Sequence, residues 1–289
     1  MPIKMGCSVQ NVVIGDTVYV GGGSAGNDRD RCTVMKLEQD QWTKLPEYTA
    51  MWFAMTSLAN RLVLVGGFDL RNNKLTNQLA VFESGEWTHP YPPMNIARHS
   101  STAVSFNNHI IVAGGYNEKV RISSVEVLDV ASRRWHIAQS LPNPRSDLKS
   151  TLIGNTLYLM GGWDHTVSSP TKTVHHADLD ELIANALSNM DTPTLWQTLQ
   201  KVPLVYSAPL SIGRSLLAVG GRDDRFNPSS SIHLYQPDTS RWVKVGDLPT
   251  ARYYCTCSEL PSEEVIVAGG QTDVLTNTQT VDFFSISAN

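Results

Sequence analysis

Short apolar runs divide the chain into repeating units. Six times an apolar run ends in two glycines, at positions 22–23, 66–67, 114–115, 161–162, 220–221 and 269–270. The final glycines are 44, 48, 47, 59 and 49 residues apart. Five units continue to a tryptophan, namely Trp42, Trp87, Trp135, Trp196 and Trp242, and in four of them it follows the last glycine by 19 to 21 residues. A period near 50 residues predicts one supersecondary unit per repeat.

Each unit reads as four short strands separated by turn residues. The first strand is rich in small residues, as in Ser101, Thr102 and Ala103, which suits strands crowded around a central axis. The second is the continuous apolar run, typical of a strand covered on both faces. The fourth contains the tryptophan, whose large apolar area can fill the space between neighbouring sheets. We therefore expect the five indoles to be buried between sheets.

These units resemble the kelch repeat, whose hallmarks are the two glycines after an apolar strand and a tryptophan about 20 residues later. The resemblance covers nearly the whole chain and implies an all-β, six-bladed kelch-type β-propeller formed by a single domain over residues 1–289. A solenoid is the structural alternative. Four-stranded units of this length close into rings in known families, so a ring is expected.

The fourth unit departs from the pattern by about 14 extra residues. Within positions 178–192, apolar side chains recur at helical spacing, at Leu179, Leu182, Ile183, Ala186, Leu187 and Met190. Asp178 and Glu181 resemble an N-terminal capping pair. The spacing predicts a short amphipathic helix inserted in the fourth blade, which either packs on its own blade or binds a partner.

The two ends of the chain also break the pattern. Alignment with Leu248 and Pro249 places Met1 where a tryptophan strand would finish, and the sixth unit stops after its third strand, at 281–286. The chain is therefore expected to be a domain of a longer protein, or to have a last blade of three strands. An unpaired outer edge would make the sixth blade the least protected one.

Composition limits the classes of partner. With 41% hydrophobic residues, 17% charged residues and a net charge of -4, the chain has no electrostatic reason to bind nucleic acid or an anionic membrane. No apolar stretch is long enough for a membrane helix, and residues 1–20 lack the features of a signal peptide. Four irregularly spaced cysteines, at 7, 32, 255 and 257, favour a reducing, cytoplasmic location and buried, inert thiols.

Loops on one face of the predicted disc form the candidate binding site. The loop after each glycine pair and the linker into the next unit lie on the same face and surround the mouth of the central channel. Arginine and aromatic residues dominate binding hot spots. The predicted partner-binding residues are Trp52, Arg98, Ser100, Arg145, Asp147, Tyr206, Arg222, Arg252 and Tyr254.

The repeats resemble in particular those of Kelch-like substrate adaptors, in which this face binds short peptides. The resemblance implies a contact position two residues after the turn arginine, which is Ser8, Trp52, Ser100, Asp147, Tyr206 or Tyr254 in the six units. None of these is arginine, so a preference for strongly acidic peptides does not carry over. For Arg98, Arg145 and Arg252 the alternative is that each holds its own loop by bonding backbone carbonyls.

The rim composition and the resemblance together imply a monomeric protein-interaction module that binds a protein or peptide partner. The resemblance implies a role either as the substrate receptor of a ubiquitin ligase or as a cytoskeletal (actin) binder. Enzyme alternatives are weaker. His99, His165 and Tyr206 or Tyr254 could form a copper site as in copper oxidases, and Asp147, His165 and Arg222 could serve a sugar mutarotase or a lyase. No local spacing supports either set, so no catalytic residue, cofactor or metal is predicted.

Overall fold

The chain folds into consecutive antiparallel sheets that leave little helix. The computed structural model describes residues 1, 4–5, 9–23, 32–188, 194–273 and 276–285. Within these ranges five sheets have four strands and a sixth has three, and neighbouring strands are antiparallel. Two further three-stranded sheets consist of two-residue strands in the connecting segments. The prediction of an all-β fold made of four-stranded units is confirmed.

The strands of the six sheets follow the order of the chain. Sheet 1 contains β1 (Val9–Ile14), β2 (Thr17–Gly22), β3 (Val34–Glu38) and β4 (Gln41–Lys44). Sheet 2 contains β6 (Ala54–Leu58), β7 (Arg61–Val65), β10 (Leu79–Glu83) and β11 (Glu86–Thr88). Sheet 3 contains β12 (Thr102–Phe106), β13 (His109–Ala113), β14 (Val125–Asp129) and β15 (Arg134–Ala138).

The second half of the chain repeats this arrangement. Sheet 4 contains β17 (Lys149–Ile153), β18 (Thr156–Met160), β21 (Val174–Asp178) and β22 (Gln197–Leu199), with helix α1 (Leu179–Ser188) between the last two. Sheet 5 contains β23 (Ala208–Ile212), β24 (Ser215–Val219), β25 (Ser231–Gln236) and β26 (Arg241–Asp247), with a 3-10 turn at Pro237–Thr239. Sheet 6 contains β27 (Thr256–Glu259), β28 (Glu264–Ala268) and β29 (Val281–Ser285).

The first strands of the six sheets surround a central channel. Each contacts the first strand of the next sheet, and β27 of sheet 6 contacts β1 of sheet 1, so the contacts form a closed cycle. The channel is a cavity of about 480 Å³ lined by all six first strands. Small side chains such as Ala103, Ser150 and Ala208 line it together with larger ones such as Met55 and Lys149. The expected small residues are found in several first strands but not in β1, whose sequence is VQNVVI.

The repeated tryptophans join neighbouring sheets. The indole Nε1 of Trp87, Trp135, Trp196 and Trp242 donates a hydrogen bond to a backbone carbonyl 41 to 57 residues earlier, at Pro46, Pro92, Gln139 and Gln200. Trp42 packs against a buried cluster that joins residues of sheet 1 to Ile266 and Ala268 of sheet 6. Only Trp196 is fully buried, with 5% of its surface exposed, whereas the other four are half-buried. The expected position between sheets is therefore found, but the expected burial is complete only for Trp196.

Helix α1 lies where the sequence places it and packs on two sheets. Asp178 caps its N-terminus, because the Glu181 backbone N–H donates to the Asp178 carboxylate at 3.1 Å. Its buried residues, Leu179, Leu182, Ile183 and Ala186, share one cluster with residues of sheet 3, and the helix contacts β15 as well as β21. The helix therefore packs on its own sheet 4 through β21 and also on the neighbouring sheet 3. Met190 lies outside the described residues.

Residues near the start of the chain are bonded to sheet 6. Met5 is fully buried, its N–H donates to the Thr278 carbonyl at 3.1 Å, and its carbonyl accepts from the Gly270 N–H at 2.9 Å. This segment therefore completes the cycle of sheets. Among the described residues no helix is long and apolar enough to cross a membrane.

Candidate functional site

Linkers and loops meet on one face of the ring, as expected. Each linker between sheets forms a short antiparallel bridge with the loop that follows the glycine pair of the next sheet. The bridges are β5 (Ala50–Met51) with β8 (Phe68–Asp69), which also pairs with β9 (Lys74–Leu75); β16 (Arg145–Ser146) with β19 (Trp163–Asp164), which also pairs with β20 (Ser169–Pro170); His99 with Tyr116; Val205 with Arg222; and Tyr253 with Gln271. We call the surface formed by these linkers and loops the rim.

The glycine pairs allow the linkers to approach closely. Gly66 and Gly220 adopt φ of 64° and 60°, and a Cβ atom on either would lie 2.5 Å from the backbone carbonyl of Arg98 or Arg252. A side chain at these positions would collide with the linker backbone. The glycines therefore allow the linker backbone to pack directly against the ends of the second strands.

The predicted contact positions share an uncommon backbone conformation. Trp52, Ser100, Asp147, Tyr206 and Tyr254 all have left-handed φ, between 51° and 59°. Backbone hydrogen bonds connect them from sheet to sheet: Ser100 N–H donates to the Trp52 carbonyl, Asp147 to Ser100, and Tyr254 to Tyr206, over 2.8 to 3.1 Å. The sixth position, Ser8, lies outside the described residues. The alignment of the repeats thus identified one structural position around the channel mouth.

Their side chains differ in accessibility. Trp52, Asp147 and Tyr254 are half-buried, whereas Ser100 and Tyr206 keep only 7% and 5% of their surfaces exposed. The ring centres of Tyr206 and Tyr254 are 4.0 Å apart. Tyr206 therefore supports Tyr254 more than it offers area to a partner.

Three residues predicted to bind a partner, Arg98, Arg145 and Arg252, have side chains that are buried beneath the rim. All three are fully buried. The Nη1 of each donates to the carbonyl of the first glycine in the next sheet, at Gly114, Gly161 and Gly269, over 2.9 to 3.3 Å. The expectation that these arginines contact a partner is therefore corrected, because their guanidinium groups are used inside the protein. The placement agrees with the alternative in which each holds a loop through backbone carbonyls.

The Nη2 atom of each buried arginine contacts a side chain on the third strand of the sheet that follows its linker. Arg98 pairs with Glu126 at 2.5 Å and Arg252 with Asp282 at 2.6 Å. Arg145 instead lies 2.8 Å from the Nε2 of His175. The pKa of His175 is lowered to about 4 by burial and by the neighbouring arginine, so the ring is neutral and accepts this hydrogen bond.

Aromatic side chains cover the accessible part of the rim in two groups. In the first, Trp52 lies 5.0 Å from His99 and 6.3 Å from Phe68, and His99 lies 5.4 Å from Tyr116. In the second, Tyr254 contacts Tyr206 and Tyr253. Burial lowers the pKa of His99, which keeps that ring neutral near pH 7.

Two further arginines lie among these rings. Arg121 is 5.6 Å from the centre of the Tyr116 ring and 5.1 Å from that of Trp163. Arg222 is 4.4 Å from Phe226, 5.1 Å from Tyr206 and 5.4 Å from Tyr253. Both are half-buried. The rim thus combines flat apolar area with positive charge.

The family of the chain follows from comparison of its sequence with known families. The profile described as "KLHDC2/KLHL20/DRC7 Kelch-repeats domain" matches residues 52–270. The chain belongs to the Kelch-repeat family. Its similarity to the solved structure of YjhT, with a TM-score of 0.80 at 16% identity over 100% of this chain and 97% of that one, supports the β-propeller fold alone.

Three curated relatives are longer than the region that this chain matches. The chain is 23% identical over 300 residues to Kelch-like protein terF of Aspergillus terreus, 24% over 259 residues to spermatocyte protein spe-26 of Caenorhabditis elegans, and 20% over 251 residues to Kelch-like protein 23 of Pongo abelii. These alignments cover 94%, 84% and 83% of this chain. The chain spans only 62%, 42% and 41% of the three relatives.

Three features of this Kelch domain bear on the enzyme alternatives named above. Within the part of the chain that the structure describes, no group of three or more His, Cys, Asp or Glu residues could hold a metal ion. His165, a member of both enzyme alternatives, is exposed on its loop. Cys255 and Cys257 are buried thiols whose pKa is raised by burial, so they stay protonated.

Sequence reasoning missed Arg121 as a rim residue. It lies outside both positions that the Kelch repeat makes recognisable, since it follows the glycine pair by six residues in a loop of irregular length. Its hydrogen bond to Ser146 of the next linker, at 3.1 Å, brings it to the channel mouth. A signal was present in the sequence, because Arg121 and Arg222 both belong to loops after a glycine pair.

Proposed function

We propose that the chain is a six-bladed Kelch propeller, with α1 as an insertion in the fourth blade, and that its rim binds a segment of a partner protein. Kelch-repeat domains typically bind protein partners. The six sheets, each contacting its neighbour through its first strand, correspond to the six blades. The chain itself is proposed to act as a monomer in a cytoplasmic environment.

The observation that carries the proposal is the concentration of accessible aromatic and arginine side chains on the rim. Trp52, Tyr116, Trp163, Tyr254 and Arg222 are half-buried, and so retain area for a partner. Such residues dominate the binding energy of interfaces because they bury large area with little loss of conformational freedom.

Exposed apolar residues extend this surface outward. Val120, Val167 and Phe226 are 40%, 63% and 56% exposed and lie on the loops after the glycine pairs of sheets 3, 4 and 5. All three loops open on the rim face. A partner segment that crosses the channel mouth would cover these three residues together with the aromatic rings.

Within this role we propose that the chain recognises substrates for a ubiquitin-ligase adaptor. The support is the resemblance of its repeats to those of Kelch-like adaptors and the Kelch-like names of two relatives. The rim would then select the protein to be modified, while the remainder of the adaptor would contact the ligase.

The proposal is tested by isolating the protein that copurifies with the chain and comparing its binding to wild type and to rim variants. We expect Trp52→Ala and Tyr254→Ala each to weaken binding of the copurified partner by about 2 kcal/mol, because each removes a large aromatic contact. Leu187→Ser is the control, since Leu187 is 41% exposed on α1, in a third-to-fourth strand connection that opens on the opposite face. Binding would be measured by titration with variants of unchanged thermal stability.

The outcomes separate the roles. Loss with both rim variants and normal binding with Leu187→Ser supports the rim. The reverse result places the interface on the other face and contradicts the proposal. Copurification of ligase subunits would support the adaptor role, whereas cosedimentation of the purified chain with filamentous actin, abolished by the rim variants, would replace it with a cytoskeletal one.

A further inference from the structure

A groove lies between sheet 6 and sheet 1 on the face opposite the rim. Its volume is about 420 Å³. Turns of both sheets surround it, namely the turn between β1 and β2, the turn between β3 and β4, and the turn between β27 and β28. These turns lie at the other ends of the strands from the glycine pairs, so the groove opens away from the rim. A segment bound here would leave the rim accessible.

The floor of the groove is apolar. Val18 and Leu37 of sheet 1 are buried beneath it, and Phe283 of sheet 6 lines its other side with 46% of its surface exposed. Val81 and Val127, which occupy the same register position in sheets 2 and 3, are buried. The exposed ring is therefore a departure from the repeat. It offers apolar area whose removal from water would favour binding.

Carboxylates surround this apolar floor. Asp16, Asp40 and Glu264 line the groove and are exposed, and none of the described residues that line it is basic. Within the described ranges, no cationic side chain lies within salt-bridge distance of these three carboxylates. Lys36, on β3, is already bonded to Glu38 at 2.6 Å. The mouth of the groove is therefore negative.

The equivalent groove between sheets 4 and 5 has a different pattern of charge. It measures about 530 Å³. Arg214 and Asp238 line it from the turns that correspond to those of Asp16 and Asp40 in sheet 1. Because these two charges have opposite signs, they largely cancel. The negative charge is thus a property of the groove between sheets 6 and 1 and not of the repeat.

We propose that the groove between sheets 6 and 1 binds a basic segment of a partner protein, in which a large apolar side chain lies between lysine or arginine residues. The apolar side chain would cover Phe283, and the basic residues would lie beside Asp16, Asp40 and Glu264. Complementary charge directs such a segment to the groove, and salt weakens the attraction. Since this surface and the rim lie on opposite faces, each can be tested without the other.

Peptide pools of defined composition test the chemistry of the groove. Acetylated nonapeptide pools with a central leucine, and with a lysine two residues before and after it, would be measured by fluorescence anisotropy. In the comparison pools glutamine replaces both lysines, or serine replaces the leucine. We expect the first replacement to weaken binding about fivefold and the second about tenfold. Sodium chloride should weaken binding of the lysine pool more than that of the glutamine pool.

Variants of the groove locate the binding site. Binding of the lysine pool should fall about tenfold in Phe283→Ser and about fivefold in the double variant Asp16→Asn/Asp40→Asn. Asp238→Asn is the matched control, because it removes the same charge from the equivalent groove of sheets 4 and 5. It should bind like wild type. Thermal denaturation shows which variants stay folded, and the asparagine variant keeps the test decisive if Phe283→Ser is unstable.

The contrary results are specific. Equal binding of the lysine and glutamine pools overturns the proposal, as does binding that the groove variants leave unchanged or that Asp238→Asn reduces equally. Failure of every pool to bind overturns it too. Sedimentation velocity tests a different occupant, since self-association that Phe283→Ser abolishes would assign the groove to a second copy of the chain. Trp52→Ala should leave binding to the groove unchanged, so failure here does not affect the function proposed for the rim.

Discussion

Buried arginines in three linkers are matched by residues on the third strand of the next sheet. Glu126, His175 and Asp282 occupy one register position, since each lies opposite the residue two places before the first glycine. In sheets 1, 2 and 5, whose linkers lack the arginine, the residue at that register position is Met35, Ala80 or His233. A buried charge is thus introduced only with its acceptor.

Protonation of His175 should destabilise the protein as the pH falls. Its pKa is about 4 in the folded chain, whereas the pKa of an unperturbed histidine is 6.5, so the unfolded chain binds the proton more tightly. The destabilisation is absent above pH 6.5 and grows as the pH falls towards 4. We expect wild type to lose more stability than His175→Gln between pH 7.5 and pH 5 in urea denaturation. Equal losses would show that His175 does not titrate in this way.

The rim illustrates what the sequence could and could not reveal at this scale. Counting from the glycine pairs located Trp52, Ser100, Asp147, Tyr206 and Tyr254, which share one backbone conformation. Counting could not show that Arg98 points inward while Arg121 reaches the mouth. Side-chain direction depends on acceptors such as Glu126 and Ser146, which belong to other strands and linkers.

At the scale of elements, the outer strands differ in how much they contribute to the contact between sheets. Trp196 is buried against α1 and sheet 3, whereas Trp87 keeps part of its ring exposed beside Tyr48 and Phe82. The repeat pattern predicted that both tryptophans lie between sheets, and the apolar spacing predicted the helix. The spacing of residues within one unit does not show which other unit it contacts, so the packing of α1 on β15 could not be predicted.

Truncation of Trp196 should therefore cost more than truncation of Trp87. We expect Trp196→Ala to lower the free energy of unfolding by about 3 to 5 kcal/mol, the range for large buried aromatics. Trp87→Ala should cost less because less of the indole is removed from water in the native state. Chemical denaturation of both variants measures the difference. An equal or larger loss for Trp87→Ala would contradict this ranking.

At the scale of the whole molecule, the ring is uneven. Within the described residues sheet 6 has three strands, and Phe283 on its outermost strand, β29, is 46% exposed. The other five sheets each place a fourth strand outside the third. Among the described residues no strand pairs with the outer edge of β29, whereas the corresponding strands of the other five sheets bond to a fourth strand there.

Hydrogen exchange should detect this difference. We expect the amides of β29 to exchange faster than those of β14 in sheet 3, since local opening of an edge strand breaks fewer contacts. Mass spectrometry of peptides that cover 281–285 and 125–129 gives the comparison within one sample. If β29 exchanges as slowly as β14, sheet 6 is closed in solution by another strand.

The left-handed backbone at the five rim positions limits how the binding surface can change during evolution. Valine, isoleucine and threonine are strongly disfavoured at φ near 55°, because their branched Cβ crowds the backbone. Aromatic, amide, acidic and small side chains can replace one another there without disturbing the backbone hydrogen bonds between sheets. Descendants of this domain that acquire new partners should therefore exchange Trp52, Asp147 and Tyr254 within that set, while branched aliphatic residues stay excluded.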